Sequence, residues 1–91
     1  MKLNDTITIP AQVMARQVGE ETVILDLASG TYFGLGPEGA RIWQLMGEGK
    51  TLAEVCAAML AEYEVSQEVI ERDVLRLAEE LRSKQLINCK P

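Results

Sequence analysis

No histidine occurs anywhere in the chain, which removes the commonest general base, the usual partner of a catalytic serine or cysteine, and the commonest zinc ligand. Cysteine is nearly as scarce. Cys56 and Cys89 stand 33 positions apart with no C-x-x-C pairing, so neither a metal site nor a dithiol redox motif is indicated. Gly30, Gly34, Gly36 and Gly39 match the spacing of neither phosphate-binding motif. Basic excess is absent too: a net charge of −5 and a pI near 4.6 argue against binding dominated by nucleic-acid phosphates. No segment approaches the roughly 20 apolar residues of a membrane span, and the start M-K-L-N-D-T-I-T-I-P carries no signal-peptide core. A reducing cytoplasm is therefore the expected location. Catalytic residues, cofactors and metals are not expected. Carboxylates such as Asp26, Asp73 and Glu80 read as solvated charges.

What is present suffices for one domain spanning residues 1–91. A 47% apolar content permits a modest core without disulfides. Aromatics make up only 4%, so the positions of Tyr32, Phe33, Trp43 and Tyr63 each matter.

The first third reads as strands. Val13–Val18, Thr22–Leu27 and Thr31–Leu35 are joined by the short turns Gly19-Glu20-Glu21 and Ala28-Ser29-Gly30, which predicts an antiparallel meander. In the middle strand Val23, Leu25 and Leu27 share a face by alternation. Ile7-Thr8-Ile9 adds a short edge piece that Pro10 ends.

Helices follow. Pro37 and Glu38 suit a first turn, Ile42, Leu45 and Met46 form an apolar stripe beside Trp43, and Gly47 and Gly49 stop the helix. Thr51-x-x-Glu54 is a capping box for a second helix reaching about Tyr63. Ser66 caps a third that runs to about Gln85, with Leu86 and Ile87 returning as a short strand. The whole predicts an α+β fold, a three-stranded antiparallel sheet followed by three helices, similar to a winged helix-turn-helix.

Two features invite function. On the third helix Ile70, Val74, Leu77 and Leu81 fall within one arc and read as core, with Ala78 just outside it. Val69 lies away from that arc, flanked by Asp73, Arg76 and Glu80; it is either an incidental surface hydrophobe or one lip of a groove. The strand Thr31–Leu35 has Thr31, Phe33 and Leu35 on one face, and Tyr32 and Gly34 on the other. As an outer strand without Lys or Pro to blunt it, it offers main-chain groups to an extended peptide. A DNA-reading winged helix would instead need a basic helix or wing. The third helix is mixed in sign, and the hairpin at Glu20-Glu21 is acidic.

The run Val23-Ile24-Leu25-Asp26-Leu27-Ala28-Ser29-Gly30-Thr31-Tyr32-Phe33-Gly34-Leu35, then Gly39-Ala40-Arg41-Ile42-Trp43, resembles the PqqD family. That family has an "hLDLxxGxYaxL" segment before a "GaxIWxL" helix. The likeness continues through Lys50-Thr51-Leu52-Ala53-Glu54-Val55, Tyr63-Glu64-Val65, Asp73-Val74-Leu75 and Leu77, so nearly the whole chain is covered. The resemblance implies a recognition element for the leader of ribosomally made, modified precursor peptides. The leader would join the sheet as an added strand beside the third strand, in a groove shared with the last helix. Carried onto this chain, the peptide-binding residues are Leu27, Thr31, Tyr32, Phe33, Gly34 and Leu35 on the strand side, and Val69, Asp73, Arg76, Leu77 and Glu80 on the helix. The implied partners are a precursor leader and a leader peptidase or other modifying enzyme, with no nucleic acid and no membrane. The segment from Leu25 to Leu35 looks most like the stand-alone leader-binding subunit of lasso-peptide systems. A chaperone for a radical enzyme, as in pyrroloquinoline quinone synthesis, is the alternative within the family. If this edge donates hydrogen bonds, Pro at Thr31 or Phe33 is expected to abolish peptide binding, which titration with a leader peptide would read.

Overall fold

The computed structural model describes residues 1–90. Eight elements follow in order: β1 (Thr6–Thr8), β2 (Val13–Val18), β3 (Glu21–Asp26), β4 (Tyr32–Leu35), α1 (Pro37–Gly47), α2 (Leu52–Glu62), α3 (Gln67–Ser83) and β5 (Asn88–Lys90). The sheet β2-β3-β4 is an antiparallel meander, and the helices come after it in sequence and cover one of its faces. This is the α+β, winged-helix-like arrangement that the strand and helix signals imply.

Ile7–Thr8–Ile9 does not extend the meander. Thr6–Thr8 pairs antiparallel with Asn88–Lys90, so the two ends of the described chain close a separate two-stranded sheet. Leu86 and Ile87 are not its strand; they are buried core residues immediately before it.

Each helix begins where local chemistry requires. Pro37 opens α1, where its missing N–H costs nothing. The Thr51 hydroxyl accepts from the Glu54 N–H while the Glu54 carboxylate accepts from the Thr51 N–H, which completes the capping box of α2. The Ser66 hydroxyl accepts from the Val69 N–H at the start of α3. From α3 the core receives Ile70, Val74, Ala78 and Leu81, so Ala78 replaces Leu77, which is only half-buried. Ile24, Met46, Leu52, Met59, Leu81 and Leu86 are among the fully buried side chains, each contributing about 1.5–3 kcal/mol by leaving water.

In the middle strand Val23, Leu25 and Leu27 do share a face, and it is the outer one. Ile24 is 0% exposed and Asp26 is buried, whereas Val23 and Leu25 are half-buried on the opposite face and Leu27 is 61% exposed. The reason is the turn that follows. Asp26 Oδ1 accepts the N–H groups of Ala28 and Ser29 at 2.9 and 3.3 Å, and Gly30 closes the turn at φ +77°, where a side chain would be strained. The buried carboxyl group thus sits on the helix-facing side as the anchor of the β3–β4 connection.

Several carboxylates are held below their ordinary pKa: Asp5 by the Cys89 thiol and the Lys2 N–H, Glu54 by the Thr51 N–H, Glu62 by Arg41, and Glu79 by the terminal ammonium. A folded-state value below the unfolded one adds stability that is present above the unfolded pKa and is lost as pH falls through the folded one. With no histidine to titrate, the urea midpoint is expected to stay level from pH 5 to 7 and to fall below about pH 4. Denaturation followed by circular dichroism across that range checks this.

Candidate functional site

The hydrogen-bond parity of β3 decides which groups of β4 are free. Asp26 N–H donates to the Thr31 carbonyl at 2.8 Å, and Leu27 N–H to the Gln12 carbonyl at 2.9 Å. Successive residues of an antiparallel strand direct their main-chain groups to opposite sides. Ile24 and Thr22 therefore address β4, while Leu25, Val23 and Glu21 address β2. Since Ile24 pairs with Phe33 and Thr22 with Leu35, the main-chain groups of Phe33 and Leu35 are taken up within the sheet. Those of Tyr32 and Gly34 point outward. β4 ends the strand order, and neither outward amide donates to a side chain or turn among the described residues.

Beside this edge lies a depression of about 210 Å³ lined by Phe33, Glu38, Gly39, Ile42, Asp73, Arg76, Leu77 and Glu80. That is smaller than the ~300–1,000 Å³ of small-molecule sites and suits one or two side chains. Phe33, Ile42 and Leu77 make its apolar surface, with charged groups around the rim. Gly39 allows the close approach of β4 and α1: a Cβ there would lie 3.2 Å from Leu35 Cδ2. Arg76 pairs with Asp73 at 3.4 Å, and Asp73 also faces Arg72 at 3.8 Å. Glu38 and Glu80 have no ion-pair partner among the described residues. No group of three potential metal ligands occurs among the described residues.

Of the residues singled out from sequence, Phe33, Asp73, Arg76, Leu77 and Glu80 converge on this groove. Tyr32, 72% exposed, and Gly34 lie on the outer sheet face and carry the free main-chain groups. Leu35 is buried in the core, and Thr31 is half-buried just before β4. Leu27, in the turn, and Val69, half-buried near the start of α3, do not line the depression. Glu38, Gly39 and Ile42 were missed from sequence. Their signal was the single residue, Gly36, between β4 and α1, which forces the first turns of α1 to lie beside the strand. The outer sheet face is uncovered and carries apolar residues, Met14 45%, Val18 58% and Tyr32 72% exposed with half-buried Val23 and Leu25, alongside the charged Arg16 and Glu21.

A free strand edge beside a narrow groove is the geometry by which extended peptides add to sheets in general. The chain belongs to the PqqD family: the family profile described as coenzyme PQQ synthesis protein D matches residues 21–87. Two solved structures are similar over most of their length. One is TbiB1 in complex with the TbiA(beta) leader peptide, 40% identical over 88% of this chain and 93% of that one, with a TM-score of 0.81. The other is lasso peptide synthetase B1 complexed with the leader peptide, 28% identical over 90% and 96%, with a TM-score of 0.82. Among curated proteins none matches the chain significantly. No helix among the described residues is long and apolar enough to cross a membrane.

Amide hydrogen exchange reads the parity of β4 directly. Phe33 and Leu35 amides should be protected, while those of Tyr32 and Gly34 exchange at rates close to an unstructured chain. Equal protection of all four would rule out a free edge.

Proposed function

We propose that this protein binds the leader segment of a ribosomally made precursor peptide as an antiparallel or parallel strand added to β4. It acts by binding rather than catalysis and presents the peptide to a separate processing enzyme, a lasso-peptide leader protease first among them. The observation that carries this reading is the unpaired edge at Tyr32 and Gly34 beside the groove of Phe33, Ile42 and Leu77. An added strand would satisfy the outward N–H and C=O groups of both residues, each bond contributing about 0.5–1.5 kcal/mol net. Alternate side chains of that strand would turn toward the helices, and an apolar one would fill the groove. The leader complexes of the two similar structures support the same ligand class. The uncovered face around Met14, Leu25 and Tyr32 is the surface assigned to the enzyme partner, since apolar sheet faces of this kind are usually covered in the working assembly.

The parity of β4 moves the proline test. Pro at Phe33 would break a ladder bond to Ile24 and damage the fold, and Pro at Thr31 precedes the strand. Gly34 is the informative position: its amide points outward, and a Cβ there meets only Glu21 Oε2 at 3.6 Å. Titration with the TbiA(beta) leader peptide should shift amides at Thr31–Leu35 and between Asp73 and Glu80. Gly34→Pro should weaken binding about tenfold or more while leaving the urea midpoint near that of the parent. Shifts confined to α2 would overturn the reading.

A further inference from the structure

The end of α3 places a cation near Phe33, one of the residues that line the groove. Leu86 N–H donates to the Leu81 carbonyl and Gln85 N–H to the Arg82 carbonyl, each at 2.9 Å, which is the Schellman closure of a helix. Gln85 occupies the left-handed position at φ +60°, where glycine is usual, and Leu81 and Leu86 on either side are both 0% exposed. The burial of that leucine pair fixes the backbone of Lys84, the C-cap residue, while its side chain stays exposed. The Lys84 ammonium lies 5.9 Å from the centre of the Phe33 ring. That is the outer limit of a cation–π contact, so a stronger partner would capture the ammonium readily.

Charge around the groove is otherwise committed or negative. Arg76 is engaged by Asp73, whereas Glu38 and Glu80 make no ion pair among the described residues. Lys84 makes no ion pair among the described residues. Among the described residues it is therefore an uncompensated cation near Phe33. A strand added on β4 would turn alternate side chains toward the helices, and one opposite Phe33 would lie within reach of Lys84.

We propose that Lys84 is a specificity residue of the leader groove: it pairs with a carboxylate of the bound peptide next to Phe33, while Glu38 and Glu80 disfavour one further along. This rests on the strand-addition reading above. Its value is register, because an added strand slipped by one residue would present the opposite set of side chains to the groove.

The test uses the intact protein and the TbiA(beta) leader peptide, with each peptide residue replaced in turn by Glu and by Lys. Binding is read by fluorescence anisotropy at low and high salt. With the parent protein, Glu at one peptide position should tighten binding about two- to fivefold and Lys there should weaken it comparably, the range of an exposed ion pair. Lys84→Glu should invert that preference, Lys84→Met should flatten it, and high salt should erase it. A Glu/Lys profile identical for the parent and Lys84→Glu overturns the role of Lys84 while leaving strand addition intact. Failure of every peptide to bind the parent protein overturns strand addition and the role of Lys84 with it.

Discussion

Asp26 is buried on the helix-facing side of the sheet, a place where aliphatic residues are expected, and much of the molecule depends on it. Its carboxyl oxygen gathers the amides of Ala28 and Ser29, its amide reaches the Thr31 carbonyl, and its own carbonyl receives the Gly30 amide at 2.8 Å. These bonds fix the length of the β3–β4 turn. With the turn fixed, the register of Ile24 against Phe33 follows, and with the register comes the parity of every group on β4. A one-residue slip would send Phe33 and Leu35 to the open face and turn the main-chain groups of Tyr32 and Gly34 inward. The free edge and the aromatic wall of the groove are thus two consequences of one hydrogen-bonded turn.

The same constraint explains which parts of this fold were legible in the sequence. Capping is local chemistry: Pro37, the Thr51–Glu54 box and Ser66 set helix starts through contacts within four residues, and all three starts were readable. The inward face of β3 was not. Thr22-Val23-Ile24-Leu25-Asp26-Leu27 has apolar residues on both faces, so alternation alone could not rank them, and the row with more aliphatics proved to be the outer one. The pairing of Ile7 with Cys89 was equally hidden, since strand partners at opposite ends of a chain leave no local trace. On α3, Leu77 reads as core because it falls in one arc with Ile70, Val74 and Leu81, but the groove beside β4 leaves it half-covered while small Ala78 meets the packed interior.

For the site, five of the eleven residues named from sequence meet in one groove, and those five come from β4 and the middle of α3. The others fall away for separate physical reasons. Leu35 spends its side chain on the core, Tyr32 and Gly34 contribute backbone rather than side chains, and Leu27 belongs to a turn. The α1 contribution went unseen because helix α1 reads from sequence as purely structural, with Ile42 in its apolar stripe. Yet the first turns of α1 must leave the strand at Gly36, which brings Glu38 and Ile42 to the groove whatever else they do.

The sheet has a second open edge, and comparing the two shows what makes one of them a site. By the parity that frees Tyr32 and Gly34, the main-chain groups of Ala15 and Gln17 on β2 also point outward. β2 is even the longer strand, with six residues against four. Main-chain hydrogen bonding would therefore favour β2 if it alone determined capture. From Met14 to Val18, however, every residue of β2 is exposed, and the wider depression at its Gln17 end, about 460 Å³, is lined by Glu20, Thr22, Arg41 and Gln44 together with Trp43 and Tyr63. Beside β4, Phe33, Ile42 and Leu77 supply an apolar wall built from three different elements. Exposed backbone bonds largely exchange water for peptide at small net gain, whereas covering the apolar wall of Phe33, Ile42 and Leu77 releases water from it with no bond lost there. On the strand-addition reading, the helices would convert one of the two open edges into a binding strand, and affinity for a peptide would reside in the groove more than in the edge.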